Sequence, residues 1–465
     1  MQVSHTPAAV SASFDDPNLV STSGLVPVMR LAQNAGLGQL AQQWLSVPSD
    51  KGANAGAKVS SLVAGMVAGA DSIDDMAVLR HGAMAKLFDR IYAPSTLGSF
   101  LRAFTFGHVR QLDAVASRVL QGLSDQAPLL VPAQDQYTFL DVDDTIIEVH
   151  GHAKQGSGYG YSGVRGLNAI LATASTSTSA PVILSQRLRR GAAGSPHGAK
   201  RMVRDALATL RRLHGMDQGP VLVRADSAFY GHATIAAAIS AGADVSVTAR
   251  MDPAVKKAIA SIGEDAWTGI EYPQAIYDED TGTWVSTAQV AEVDFTAFTS
   301  RKKSERVPGR LVVRRIPELN QDKKNVDQPG LFDLHRFHAF FTTSTLDTVT
   351  ADKTHRAHAV IEQVNADLKN SALAHLPSGI FTANAAWLVL AVMAFNLTRA
   401  AATITGPSLA KATTGTIRRK IISIPARIAS SARRITLHLP QGWPWQLQWN
   451  ALFNHTHGPP AVAAA

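Results

Sequence analysis

Three carboxylates stand out by type and position. Asp143 follows the run Phe139-Leu140-Asp141-Val142, and Asp226 follows Val221-Leu222-Val223-Arg224-Ala225, so each sits where a short β-strand ends. Glu362 lies in a helical stretch from Lys353 to Lys369. Taken singly, any of the 36 acidic residues is most simply a solvated charge or a turn cap. As a strand, strand and helix triplet they suit a specific chemistry. Carboxylates brought close together repel unless cations hold them, and hard divalent ions such as Mg2+ or Mn2+ take oxygen ligands while keeping several waters. Two such ions about 4 Å apart clamp the attacking and leaving oxygens of an in-line phosphoryl displacement. Metal-assisted phosphoryl transfer, with two ions, is the expectation.

The elements that must position this set follow from periodicity and punctuation. The β-rich runs Tyr137 to Val142, Ile146 to Val149, Leu167 to Ala174 and Pro181 to Arg187 predict about three antiparallel strands. A basic helix from His197 to His214, a strand at Val221 to Ala225, an Ala-rich helix from Gly231 to Gly242 and a strand at Asp244 to Arg250 come next. The order β-β-β-α-β-α-β is that of an RNase H-like sheet, in which the first and fourth strands are neighbours. Asp143 and Asp226 then face each other across one gap. Asp141, two residues earlier on the same sheet face, is the alternative to Asp143 as a metal ligand. In the helix, His355, His358, Glu362, Asn365 and Lys369 share a polar face beside an apolar one with Val360, Ile361, Val364 and Leu368.

Around this core the chain divides into a flexible leader (1–22), a helical unit (23–128), the first part of the catalytic core (129–250), a β-rich insertion (251–343), the return of the core with the Glu-bearing helix (344–402) and a basic C-terminal tail (403–465). The expected fold is α/β, an RNase H-like mixed sheet flanked by helices, with an all-α N-terminal domain and a β-rich insertion. The apolar stretch Phe381 to Thr398 approaches the length of a membrane span, but Asn384 and Asn396 interrupt it and Arg399 follows, which predicts a buried core helix and no membrane role.

A formal charge of +8 and a pI near 9.7 favour a polyanionic partner, since each phosphate neutralised releases counterions. The 465 residues contain no cysteine, which removes disulfides, thiolate zinc sites and Cys nucleophiles. The N-terminal residues lack the pattern of a secretory signal, so a cytoplasmic, nucleoid-associated protein is expected. The Gly-rich run from Gly151 to Gly166 lacks the spacing of a phosphate-binding loop, which disfavours a nucleotide-dependent enzyme.

The segments Leu140-Asp141-Val142-Asp143-Asp144-Thr145 and Val223-Arg224-Ala225-Asp226-Ser227-Ala228-Phe229-Tyr230, with the helix carrying Glu362 and Lys369, resemble the three motifs of bacterial insertion-sequence DDE transposases, in the group with an Asp-x-Asp-Ser-Thr-like first motif. The similarity extends from about Gly24 to about Leu439 and includes Asp74-Asp75 of the helical unit. Glu362 and Lys369 match the second half of the Tyr-x-x-Arg-x-x-x-Glu-x-x-x-x-x-x-Lys signature in register. His355 stands at the Tyr place and His358 at the Arg place, with Arg356 nearby. The resemblance implies Asp143, Asp226 and Glu362 as catalytic metal ligands, and phosphate contacts from Lys369, His358, His355 or Arg356. It also implies a flipped base or hairpin end held by the insertion, with Trp267 and Trp284 as stacking candidates and Arg301, Lys302 and Lys303 on phosphates. The implied substrates are the terminal inverted repeats of an element and its target, both double-stranded DNA, handled by a homodimer.

Overall fold

The computed structural model describes the chain apart from residues 49, 132–135, 152, 161, 215–218, 279–282, 318–334, 432–433 and 459–465, and apart from the side chains of 214, 272–278, 283–286 and 317. Among the described residues its centre is a ten-stranded mixed sheet, counting the two-residue strand Gly158–Tyr159. The first strand, β1 (Thr138–Glu148), pairs antiparallel with β2 (Arg165–Ser175), which pairs antiparallel with β3 (Val182–Arg190). On its other side β1 runs parallel to β4 (Val221–Ala225), and β4 runs parallel to β5 (Asp244–Thr248). The order β3-β2-β1-β4-β5 is the expected RNase H-like arrangement. The parallel trio β1-β4-β5 is wholly interior to the sheet, and β4 is buried along its entire length, as a parallel strand covered on both faces should be.

The β-rich segment continues this sheet and forms no separate layer. Strands β6 (Thr268–Asp278), β7 (Thr283–Ala297), β8 (Val307–Pro317) and β9 (His335–Thr342) form an antiparallel meander that joins β5 through β9, with Phe341 opposite Val247. Gly309 of β8 is required by this pairing, because a Cβ there would stand 2.8 Å from the ring of Phe341 and 2.6 Å from the Thr342 carbonyl.

The N-terminal helices are α1 (Leu25–Asn34), α2 (Leu37–Trp44), α3 (Ala55–Ala68), α4 (Pro94–Arg102) and α5 (Phe106–Gln126). α5 begins with a capping box, in which the Thr105 side chain takes the His108 amide while His108 Nδ1 accepts the Thr105 amide at 3.0 Å. Helices α6 (Ala199–His214) and α7 (His232–Ile239) are the crossover helices of the core, and α8 (Pro253–Ala260) follows β5. After β9 come α9 (Thr348–Arg356), α10 (Val360–Lys369) and the 24-residue α11 (Phe381–Ile404).

α11 is long and apolar enough to cross a membrane, yet it is buried within the protein, packed on α5, α3 and β3. Its two interrupting asparagines explain how it tolerates that position. Asn384 pairs with both backbone groups of Ser378, and Asn396 accepts from Ile183 N at 2.9 Å and donates to Ile183 O at 2.8 Å. β3 is the outer strand of the sheet, so the Asn396 carboxamide takes the place of a neighbouring strand and closes the open edge.

The segment after α11 is folded. Strands β10 (Ala426–Ser431) and β11 (Arg434–His438) form a hairpin that adds Leu19–Val20 as a third strand, and the last helix, α12 (Gln446–His457), packs on α1. Replacing Asn396 by Leu strands two buried backbone groups of β3. The variant should lose about 2–4 kcal/mol in urea unfolding, and an unchanged midpoint would show that β3 needs no such cover.

Candidate active site

The last paired rung between β1 and β4 joins Val142 to Ala225, so Asp143 and Asp226 emerge side by side immediately beyond it. This is the carboxyl end of a parallel pair, where open α/β sheets place their sites. Asp226 also caps the 3-10 turn Ser227–Phe229, its Oδ1 accepting from the Ala228 amide at 2.9 Å. The Asp143 carboxylate accepts from Asn365 Nδ2 at 2.9 Å.

One rung earlier, Asp141 lies directly opposite Arg224. The guanidinium engages both carboxylate oxygens, Nε to Oδ1 at 2.7 Å and Nη2 to Oδ2 at 2.8 Å, and both side chains are buried. Arg224 further donates to the Thr354 carbonyl at 2.6 Å and lies 4.3 Å over the Phe139 ring, while His358 Nδ1 reaches Asp141 Oδ1 at 2.9 Å. With a full set of protein partners, Asp141 serves the frame of the site and Asp143 presents the freer carboxylate. Asp144 points to the opposite sheet face, where Arg189 at 2.7 Å and Asn168 hold it.

Lys353 to Lys369 does not form the single helix that periodicity suggests. α9 ends at Arg356, a 3-10 turn spans Ala357–Ala359, and α10 begins at Val360. The cause is the histidine pair. His355 stacks on Phe340 at 4.1 Å, and its ring nitrogens meet Ser246 Oγ at 2.8 Å and Thr248 Oγ1 at 3.0 Å. Side chains three apart eclipse in a 3-10 turn, so His358 can reach Asp141 while His355 remains seated on the sheet. Burial pushes His355 down to about 3, which keeps it neutral. Both its nitrogens being engaged, His355 anchors α9 and is not disposed toward phosphate. Arg356 likewise turns to Asp352, with Nε to Oδ2 at 2.8 Å.

From His358 in the 3-10 turn, Glu362, Asn365 and Lys369 follow along α10. His358 touches Asp141 and Asn365 touches Asp143, while Glu362, between them in sequence, is exposed, as is Lys369 one turn beyond. Among the described residues no three His, Asp or Glu side chains converge tightly enough to hold a metal as they stand, so Glu362 is not drawn in to the aspartate pair. Two features nonetheless fit a hard cation. Burial pushes the Asp143 carboxyl up to about 6, with Asp226 and Asp144 adding repulsion against the Asp144 amide and His358. Asp226 is raised by burial as well, against the Ala228 amide and His358. The second is Asn365 Oδ1, a buried oxygen with no hydrogen-bond partner, on the same carboxamide that binds Asp143. An oxygen acceptor left open beside two mutually repelling carboxylates is the donor set a divalent ion takes.

The β7 to β8 turn reaches this neighbourhood. Phe298, in the left-handed region at φ 62°, stacks on Tyr230 at 5.6 Å, four residues past Asp226. Arg301, Lys302 and Lys303 follow in the same turn and are exposed, with Arg301 3.3 Å from Glu305. Trp267 is partly buried under Arg315, 4.2 Å from its ring, and packs near Phe337 at 6.1 Å, so its indole is engaged within the meander. Trp284 lies on β7 opposite Tyr277, with its side chain outside the described residues.

Arg224 and Asn365 are the residues whose contacts with the aspartates sequence reasoning passed over. The signal for Arg224 was present, because a cation inside an otherwise apolar, fully buried strand requires a buried anion. Asn365 carried none beyond its place on the polar face.

A family model described as transposase DDE domain group 1 matches residues 3–457 of the chain. No curated protein matches it.

Arg224→Met leaves Asp141 buried with only His358, and should destabilise the protein by about 3–5 kcal/mol in chemical unfolding, with the double variant Arg224→Met/Asp141→Leu regaining much of that loss. The raised Asp143 carboxyl sets a pH dependence. Its folded value near 6 exceeds the unfolded value of about 4, so without cation its contribution is fully present below about pH 4 and is lost as pH rises through about 6. Mn2+ must displace that proton, so it should raise the thermal midpoint above about pH 7 and do little below about pH 5. A pH-independent Mn2+ effect, or one retained in Asp143→Asn, would contradict this assignment.

Proposed function

The chain belongs to the DDE transposase family, and on that premise we propose that it cuts the ends of a bacterial insertion sequence by metal-dependent phosphodiester hydrolysis and joins the freed 3′-hydroxyls to target DNA by transesterification. The observation that carries the reading is the side-by-side emergence of Asp143 and Asp226 from adjacent parallel strands, beneath a helix that bears Asn365 and Glu362.

In this mechanism Asp143 and Asp226 would hold the divalent ions, probed as Mg2+ or Mn2+, and Glu362, exposed on α10, would complete the ligand set by turning toward them. Ions held there would supply activation of the attacking oxygen and stabilisation of the leaving one. The residues of the chain supply position. Asn365 fixes the Asp143 carboxylate, the Ala228 amide fixes that of Asp226, and the Asp141, Arg224 and His358 cluster fixes the rung on which both depend. Lys369, on the helix that bears Glu362, and the exposed turn Arg301-Lys302-Lys303 contact DNA phosphates. No side chain need serve as nucleophile, so the reaction passes through no protein adduct. Both ends of an element must be handled together, which calls for a homodimer on DNA.

The test is cleavage and joining of a labelled duplex carrying the element's own end, with Mg2+ and with chelator, by the wild type, Asp226→Asn and Glu362→Gln. Metal-dependent nicking and joining, reduced at least about a hundredfold in either variant, is the expected result. Nicking without joining would reduce the activity to that of a nuclease, and activity retained in Asp226→Asn would overturn the assignment of the site.

A further inference from the structure

The face of α10 turned away from Glu362 borders a second cleft, to which the mechanism assigns no role. At about 3.6 residues per turn, Glu362 and Lys369 share one side of the helix, while Val360, Gln363, Val364 and Asp367 occupy the other. Those four line a pocket of about 310 Å³, closed elsewhere by the start of β1, the turn from Ser175 to Pro181 between β2 and β3, α11, and the segment after α11. The volume lies at the low end of the range for small-molecule sites, about 300–1,000 Å³.

This pocket holds a buried cation with no carboxylate beside it. Arg399, on α11, is 5% exposed. Its Nη1 donates to the carbonyls of Ala410 and Ala412, both at 2.8 Å, and its Nε is shut in among protein atoms. Nη2 has no hydrogen-bond partner among the described residues and is the guanidinium nitrogen left open to the pocket. Asp367 acts on this charge only from a distance, because its two oxygens take the Thr414 amide at 2.9 Å and hydroxyl at 2.6 Å. Burial accordingly lowers the Arg399 pKa, and the pull of Asp367 offsets that only in part. Arg224 also lines the pocket, but its charge is spent on Asp141.

Three further polar groups of the lining are free to bind. Ser175 is 6% exposed, and its hydroxyl has no partner among the described residues, whereas the hydroxyls of Thr176 and Ser179 satisfy each other. Gln363 is exposed, and its carboxamide is likewise unpaired among the described residues. Lys411 is exposed and reaches only the Ser177 carbonyl, at 3.5 Å, longer than the usual bond of about 3 Å. Buried polar groups are seldom left without partners in folded proteins. A guanidinium nitrogen, an ammonium, a hydroxyl and a carboxamide around one space select an anion with several acceptor oxygens. A phosphate monoester has three such oxygens and close to two charges at neutral pH. Phe139, Pro181 and Phe395 furnish apolar wall for the body of the ester.

We propose that this pocket is a binding site for a phosphate monoester, its head held by Arg399 Nη2, Lys411, Ser175 and Gln363. It lies across α10 from Glu362, so it is separate from the carboxylate cleft, and it stands whether or not the chain cuts DNA. A small ester and the 5′-phosphate at the end of a DNA strand present the same head.

The site is read by isothermal titration of the full-length protein at constant ionic strength, with inorganic phosphate and phenyl phosphate as probes. The wild type should bind both saturably, at one site per chain. Lys411→Glu, at an exposed position, should weaken binding at least about tenfold, and Ser175→Ala, which removes only the hydroxyl, about threefold. No saturable binding by the wild type, or binding that both variants leave unchanged, overturns the site. Displacement of phenyl phosphate by a 5′-phosphorylated duplex, but not by the same duplex with 5′-hydroxyl ends, assigns the ester to DNA, and displacement by neither assigns it to a small molecule. Displacement by both alike overturns the selectivity for a monoester and the proposal with it.

Discussion

A buried ion pair between neighbouring strands underlies the geometry of the site. Two charges withdrawn from water carry a large desolvation penalty, and their attraction offsets it only when the geometry is good and the remaining donors are satisfied. Asp141 and Arg224 meet that condition, with bidentate contact, a third donor to the Thr354 carbonyl and a histidine on the shared oxygen. The pair therefore does more than hold β1 to β4. Through Thr354 and His358 it ties α9 and the start of α10 to the sheet, and so sets where the helix lies over Asp143. An apolar replacement of the pair fills the same space without dictating this register.

The remainder of the molecule builds outward from that rung. Asn365 transmits the helix position to Asp143, and the turn after β4 transmits the strand position to Asp226 through the Ala228 amide. The meander extends the same sheet far enough for Phe298, at the base of the turn that bears Arg301, Lys302 and Lys303, to lean on Tyr230 just past β4. On the other edge, α11 and its Asn396 terminate the sheet from within the core. Continuity of the hydrogen-bonded sheet is what lets widely separated sequence segments share one rigid frame.

Much of this was legible in the residues, and the exceptions have physical causes. The apolar runs before Asp143 and Asp226 marked their strands, because interior parallel strands are hydrophobic on both faces. β1 read as two pieces, since Asp143-Asp144-Thr145 looks like a break. It stays extended because Arg189 neutralises Asp144 and Asn168 donates to it, both from the next strands. The division between α9 and α10 has no glycine or proline to announce it, and arises from what His355 and His358 touch. β6 was hidden by Gly269 and Pro273, both poor strand formers. Trp267 looked available for stacking, but Arg315, a distant partner, already covers it.

The short strand Leu19–Val20 pairs with Arg427 and Ala426, and Ser23 donates to the Ile424 carbonyl through both its amide and its hydroxyl. These contacts join residues some four hundred positions apart, as the Ser23 to Ile424 separation of 401 shows. During synthesis the N-terminal helices emerge first and keep part of their surface uncovered until the segment around Ile424 to Arg427 has been made. Closure of the fold is thus tied to synthesis of the hairpin: a copy cut short before it retains all three acidic motifs but leaves Leu19–Val20 without its partner strand.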